Sequence, residues 1–463
     1  MSGGDIVVYL VYSVIAVFLI ALTYQSCLRG FSVLPLVLFA GIEVAVVWPA
    51  LVPSAYSLES MAGILAAAGL LAAALAYYPF AGGQAGMRKW RERASILQTD
   101  TSRDLQTGLW ILTGILAAIG SWRLGNVVTV RSGVSWLLSP SQASSELASI
   151  RESRRLLTKG HLLLGEEYQG QGFFNALTDI GWQAVVAIAV LLLASKGWKQ
   201  AWTCLFPIVL AFAFLVSSGV RTPVILASIV GATTMMLTRP PRARTFVSLS
   251  CLVAAIVLII MPLSKGAERG GESLGERFMA LVERVTDGNG RNNAAIVELV
   301  NSGDLPVGYG SLFLERLAVM VPGVNADAPF AFRLTQLAYG GGNNVTGYAT
   351  PTQYGLLYAD WGPVGVLFGY LFTGILLAVV WNLVLRVEHD AAPALAGVAV
   401  MHLAYMSITG VHGLLTTAAL LAAVGGVVFA PGWLSRHWRA GRTSASEEDA
   451  GAKPHAAQRA NMP

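Results

Sequence analysis

The chain has 463 residues, of which 55% are hydrophobic and only 12% charged. Its mean hydropathy is +0.60 and its formal net charge +5. A soluble domain carries about 25% charged residues, so this composition excludes a water-soluble fold and makes lipid the natural solvent. Three cysteines, Cys27, Cys204 and Cys251, lie in or beside apolar runs and suggest neither a disulfide framework nor a metal knuckle.

Apolar runs long enough to cross a bilayer occur at 6–25, 31–53, 59–80, 106–125, 173–195, 203–219, 222–238, 245–264, 361–383, 392–410 and 413–431. A spanning helix needs roughly 20 apolar residues, so the expected fold is an all-α polytopic membrane protein of about eleven transmembrane helices. The first run is full length and reads as an anchor rather than a removable leader. Residues 1–435 form the membrane domain, and 436–463 read as a polar, disordered tail.

Basic residues set the expected orientation. RKWRER in loop 83–105, KGWKQAW at 196–202, RPPRAR at 239–244, Arg386 and RHWRAGR all fall on one side when the crossings are counted alternately. The positive-inside rule then puts the N-terminus outside and the C-terminus in the cytoplasm.

Two long loops, 126–172 and 265–352, project to the outer side. With Arg123 and Arg221 they hold fourteen of the thirty-one Lys and Arg residues. In ESLGERFMALVERV, Leu274, Phe278, Leu281 and Val285 recur at helical spacing, with Arg277 and Arg284 beside that stripe. Such a helix suits a lipid-linked anionic headgroup, because guanidinium pairs two phosphate oxygens and keeps its charge. It equally suits an ordinary surface helix on phospholipid. DGNG breaks the helix, RNNAAIVELV starts another, and GSLFLERLAVMVP supplies a third apolar run around Glu315 and Arg316.

Arg221 sits in SSGVRTPVIL, where one span ends and the next begins. An arginine held there is placed for an anion, a carboxylate or a snorkelling anchor. TPTQYGLLYADWGPVGVLFGYLFTGILL leads from the second loop into the ninth span. Pro351 can start a short helix, and Gly362, Pro363 and Gly365 mark the change to the spanning one. Tyr354, Tyr358 and Asp360 are then expected near the outer surface, as sugar-stacking or anchoring groups.

The span count, SGVRTP in a tight outer turn, the large outer loop and the TPTQYGLLYADWGPVG segment resemble the Wzy-type oligosaccharide repeat-unit polymerases, the O-antigen polymerase class. The resemblance is clearest over 203–383. It implies a GT-C-like, inverting, metal-independent glycosyltransferase with no cofactor. Such an enzyme joins undecaprenyl-diphosphate-linked repeat units, as both donor and acceptor, on the outer face of a bacterial inner membrane. Its implied partners are those lipid-linked oligosaccharides, membrane lipids and a chain-length regulator protein, with no nucleic acid. Arg154 to Gly165 and Arg277 to Gly288 have the Arg-x10-Gly spacing described for that class, whereas Arg-x15-Gly is absent from the second loop.

Diphosphate binding is expected from Arg221, with Arg277, Arg291, Arg316 and Arg333 from the large loop and Arg154 from the first. Tyr354 is a candidate substrate contact. The candidate bases are His412, in the turn SITGVHGLL, and Asp360, with Asp179 and Glu315 as alternatives. No DxD or other metal motif occurs in the outer loops. Two other readings fit the same residues. One is an O-antigen ligase with a different acceptor. The other is a flippase or transporter, which predicts polar residues deep in several spans; Glu43 and His402 are the main ones visible.

Overall fold

A computed structural model describes residues 33–44, 59–81, 99–123, 171–196, 201–217, 221–238, 292–319, 351–387, 391–411, 413–415 and 417–428, with isolated positions between them. These residues are helical almost throughout, and no strand occurs among them. Their helices are α1 (Leu34–Ile42), α2 (Glu59–Tyr77, continued by a 3-10 turn at Tyr78–Phe80), α3 (Thr99–Arg123), α4 (Gln171–Lys196), α5 (Ala201–Ser217) and α6 (Arg221–Thr238). They continue with α7 (292–302), α8 (Ser311–Val319), α9 (Gln353–Leu385), α10 (Ala392–Thr409) and α11 (Gly413–Val428).

Four segments are long and apolar enough to cross a membrane: Ala62–Phe80, Ala176–Ser195, Gln353–Leu385 and Ala392–Thr409. Shorter apolar helices cover Trp202–Val216, Thr222–Thr238 and Gly413–Val428. The chain is therefore built as a membrane protein. The run expected at 106–125 belongs to α3, which begins seven residues earlier with Asp100, Arg103 and Asp104 in its first turns. Helix α5 ends at Ser217 and α6 begins at Arg221. The runs at 6–25 and 245–264, apart from Ala21 and Ser248, the loop 126–172 up to residue 170, the helix expected at 272–285 and the tail 436–463 lie outside the described residues.

Two buried apolar clusters meet along α10 and α6; on α6, Leu237 near its end joins the first, and Val224, Leu226, Ala227 and Val230 join the second. The first joins α1, α2, α7, α8, α9 and α10. The second joins α3, α4, α5, α6, α10 and α11. On α10, Ala392, Ala396, Val400 and Leu403 face the first, whereas Ala394, Val398 and Met401 face the second. Four-residue spacing puts each set on its own face. A helix apolar all round is the expected solution for a central position.

α2 and α9 lie side by side and run in the same direction. Gly69 meets the ring of Tyr370, Gly374 meets the backbone of Ala73, and Asn382 donates to the carbonyl of Phe80. The sequence offset is nearly constant along this seam, which is what parallel packing requires. Small residues let the two backbones approach closely, the usual way to gain dispersion contact where lipid removes the hydrophobic drive. The bulky Ile64, Leu71 and Leu75 of α2 are exposed instead.

α9 is not one rod. Gly362 has φ 64° and ψ −156°, a conformation open to glycine alone. The helix reverses there. Gln353 hydrogen-bonds Thr373, Leu357 packs on Gly369, and Trp361 packs on Gly365. Residues 353–361 thus form a short arm folded back antiparallel on the long arm 363–385. At 1.5 Å per residue the short arm carries the chain about 13 Å along its partner. Pro351 precedes the arm, as the sequence suggests. The fold-back encloses Tyr354, Tyr358 and Asp360, at 0%, 5% and 4% exposure, so these groups are buried between helices.

The described part of the second long loop also packs inward. Ile296, Val297, Leu312, Phe330 and Leu334 all belong to the first core cluster.

Candidate functional site

Three short helical pieces meet around the fold-back. α7 runs beside the short arm in the same direction. At the lower end the Thr352 N–H donates to Asn293 Oδ1 (3.3 Å), while Asn293 Nδ2 donates to Thr352 Oγ1 (2.9 Å). At the upper end the Tyr358 hydroxyl donates to Asn301 Oδ1 at 2.9 Å. Asn293 is fully buried, and this pairing meets the rule that buried polar groups find partners.

The upper end holds a reciprocal cap. A helix end leaves backbone groups unpaired. The short arm ends at Gly362, and its last carbonyls, on Ala359 and Asp360, accept the N–H groups of Gly308 (2.9 Å) and Tyr309 (2.7 Å). The start of α8 has free N–H groups, and the Asp360 carboxylate accepts three of them. Oδ1 takes Gly310 (3.2 Å) and Leu312 (3.0 Å), and Oδ2 takes Phe313 (3.0 Å). The wrapping loop needs left-handed backbone at Tyr309 (φ 48°) and Gly310 (φ 90°). Tyr309 and Trp361 close the junction edge to face, 6.2 Å between centroids. A carboxylate at a helix N-terminus is favoured both by these donors and by the helix dipole. Asp360 is thus engaged as a cap that fixes α8 to the arm, and its oxygens face backbone amides.

α8 carries Glu315, whose Oε1 accepts the N–H of the buried Phe330 at 2.7 Å. Glu315 therefore ties a later piece of the loop to the same helix. Arg316 follows it in α8, so the cap determines where this arginine's backbone lies.

Tyr354 stacks on Tyr358 (centroids 6.1 Å, 24° between planes) and donates its hydroxyl to the Ala62 carbonyl of α2 at 3.2 Å. It is a packing residue in this arrangement. Tyr354→Phe keeps the stack and deletes one hydrogen bond, so it should cost only about 1 kcal/mol. A melting-temperature shift of a few degrees, with full expression, is the expected readout.

A second polar centre lies where α4, α6, α10 and α11 meet. His402 contacts Gln183 through Nε2 (2.9 Å) and Thr417 through Nδ1 (3.2 Å). The Thr417 hydroxyl also lies 2.8 Å from the Gly413 carbonyl, so its one proton has two acceptors within reach. Nε2–H of the ring donates to Gln183 Oε1, and Nδ1 of the neutral imidazole accepts from Thr417. The neutral ring is satisfied on both sides without any charge. One turn toward the C-terminal end of α10, Tyr405 hydrogen-bonds Thr222 and lies near Asp179. Thr222 adjoins Arg221, the first residue of α6. The sequence-level candidates Arg221 and Asp179 are brought to one end of one helix cluster by this link.

In the first cluster, the Glu43 carboxyl lies against the Tyr370 hydroxyl at full burial. The importance of Gln183, Thr417, Tyr405 and Tyr370 was invisible in the sequence, where each reads as an ordinary helix residue. Of the expected site residues, Arg154, Arg277, Arg291, Arg333 and His412 lie outside the described residues. Arg221 and Arg316 are placed by their backbones alone. Among the described residues no group of three or more His, Cys, Asp or Glu could hold a metal ion.

Comparison with protein-family models, with characterised proteins and with solved structures finds no match for this chain.

Proposed function

We propose that this chain polymerises polyprenyl-diphosphate-linked oligosaccharide repeat units at the outer face of a bacterial inner membrane. The transfer is metal-independent and inverting. The observation that carries the reading is the reciprocal cap at Asp360, which fastens the arginine-bearing loop helix α8 onto the head of a membrane-length helix. A lipid-linked diphosphate needs cations fixed at the boundary of a spanning helix, and this junction supplies such a mounting.

In this reading Arg221 and Arg316 stabilise the diphosphate as negative charge develops on it. Binding two lipid-anchored chains at one boundary removes much of the entropy cost of bringing them together. The acceptor hydroxyl loses its proton to His412 or to Asp179. Asp360 acts as a positioning residue, since its lone pairs already serve three amides.

Purified protein given lipid-diphosphate repeat units should yield a ladder of longer chains. Arg221→Ala and Arg221→Lys should both reduce product at least about 100-fold, because loss of a bidentate charge contact in a transition state costs about 3 kcal/mol. Normal chain length in both variants would remove Arg221 from the site. Transfer of one block to a different acceptor, with no ladder, identifies a ligase.

The transporter reading is favoured by one specific feature. Glu43, His402, Gln183 and Gln353 put polar groups inside helix clusters rather than at their ends, where intramembrane ionisable residues often mark a transport path. Movement of labelled lipid across a vesicle without any new glycosidic bond would establish that reading instead.

A further inference from the structure

Tyr354 and Tyr358 are buried, but the junction above them presents two other aromatic side chains to the outside. Tyr309 is 76% exposed and Trp361 51% exposed. Their planes stand at 88° with centroids 6.2 Å apart, so one ring rises off the other and a corner opens between them.

The corner is held in place by its backbone. Asn301 fixes the entry of the loop through the Tyr358 hydroxyl. The N–H groups of Gly308 and Tyr309 fix its exit on the carbonyls of Ala359 and Asp360. Gly310 lets Trp361 sit close, since a Cβ added there would lie 3.0 Å from the indole. Rings fixed in this way lose little freedom when they bind.

Tyr309 is a costly residue for this position. Its φ of 48° is left-handed backbone, which glycine takes freely and a bulky side chain rarely adopts. Burial does not offset that strain, because most of the residue faces outward. The edge contact with Trp361 offsets only part of it. An exposed aromatic kept on strained backbone points to something that covers it.

The surroundings specify the chemistry of the cover. In the same loop the exposed Ser302 hydroxyl donates to the exposed Asp304 carboxylate at 2.7 Å, and Ser311 is exposed just beyond the corner. A carboxylate and hydroxyls on this loop mark an aqueous setting rather than hydrocarbon. The occupant therefore needs an apolar face for the rings and a polar rim for water and the loop. A pyranose has both. The C–H bonds of one sugar face carry slight positive charge and suit the negative face of an aromatic ring, while the hydroxyls point sideways. A lipid chain has the apolar face alone.

We infer that Tyr309 and Trp361 form a stacking platform for one pyranose ring, with the sugar hydroxyls left to water and to the polar loop. The platform adjoins the Asp360 cap that mounts α8 on the arm. In the polymerase reading the ring belongs to a lipid-linked repeat unit, and only this origin of the sugar rests on that reading.

The test is saturation-transfer NMR on the full chain in phosphatidylglycerol nanodiscs. The probes are methyl galactopyranoside, methyl glucopyranoside, methyl mannopyranoside and phosphocholine. At least one pyranoside should receive saturation, strongest at the C–H protons of one ring face. Tyr309→Gly should reduce that transfer by about fivefold or more and still fold, because glycine suits this φ. Tyr309→Phe keeps the ring and should keep the transfer. Should Tyr309→Gly fail to fold, Tyr309→Asn carries the same prediction, since Asn also tolerates left-handed backbone. No transfer to any pyranoside in the native chain would overturn the inference, as would transfer that survives loss of the Tyr309 ring. Transfer to phosphocholine alone would make the corner a headgroup cage and overturn the sugar assignment. Pyranoside binding without any ladder in the polymerisation assay would remove the polymerase reading alone. A ladder without pyranoside binding would remove this inference alone.

Discussion

Asp360→Ala should lower the stability of the purified protein by about 3 kcal/mol, because three backbone donors at the start of α8 lose their acceptor at once. Asp360→Asn should cost about half as much. Its remaining oxygen can still take the amides of Gly310 and Leu312, but its NH2 group would face the N–H of Phe313. Thermal unfolding in detergent gives the ranking. Hydrogen exchange should localise the loss to Gly310, Leu312 and Phe313, since these amides are the ones released. The polymerisation assay separates this role from proton transfer. A positioning carboxylate leaves Asp360→Asn partly active, with activity following the retention of the α8 junction. A base leaves it stable and inactive, and that outcome would return Asp360 to the reaction itself.

The second large effect lies on the α2–α9 seam. A Cβ on Gly374 would collide with the Ala73 carbonyl oxygen, which is backbone and cannot rotate away. Gly374→Ala should therefore destabilise by about 3 kcal/mol, the upper part of the overpacking range, and Gly374→Val should fail to accumulate as folded protein. Gly114 in α3 is the matched control, because nothing lies within 4 Å of its added Cβ. Gly114→Ala should be neutral or stabilise by up to about 1 kcal/mol, through helix propensity alone. Fluorescence-detected size exclusion after heating would report both. If Gly374→Ala melts with the native protein, the close parallel seam is wrong.

The sequence announced most of the described helices because length and hydropathy are local properties. The run at 59–80 ends at the 3-10 turn of Tyr78–Phe80, and the run at 392–410 matches α10 within a residue. RNNAAIVELV and GSLFLERL also form the helices their spacing suggests, as α7 and α8. The break at Gly362–Pro363 was legible from residue type, but its consequence was not. Whether a glycine bends a helix or reverses it depends on what waits alongside, and here Thr373, Gly369 and Gly365 receive the returning arm.

The same limit governs the site. Asp360 reads as a free carboxylate because its three donors come from residues about fifty positions earlier. Tyr354 and Tyr358 read as interfacial aromatics because their hydroxyl partners, on Ala62 and Asn301, are remote in sequence. Residue type gives the chemistry a group is capable of. Only the partners say whether that capacity is already in use.

The parallel seam also constrains how the protein is made. Phe80 and Asn382 are 302 residues apart in the chain, and they meet as neighbours. At about 5–20 residues per second, α2 leaves the ribosome about 15–60 s before the helix it packs against exists. During that interval its small-residue face, with Ala66, Gly69 and Ala73, has only lipid or a temporary escort beside it. Among its described side chains the one polar group on that face is Tyr77, at the end of the helix, so the early helix can wait in the bilayer. Asn382 and Tyr354, which bring the polar contacts to this seam, both arrive with the late partner.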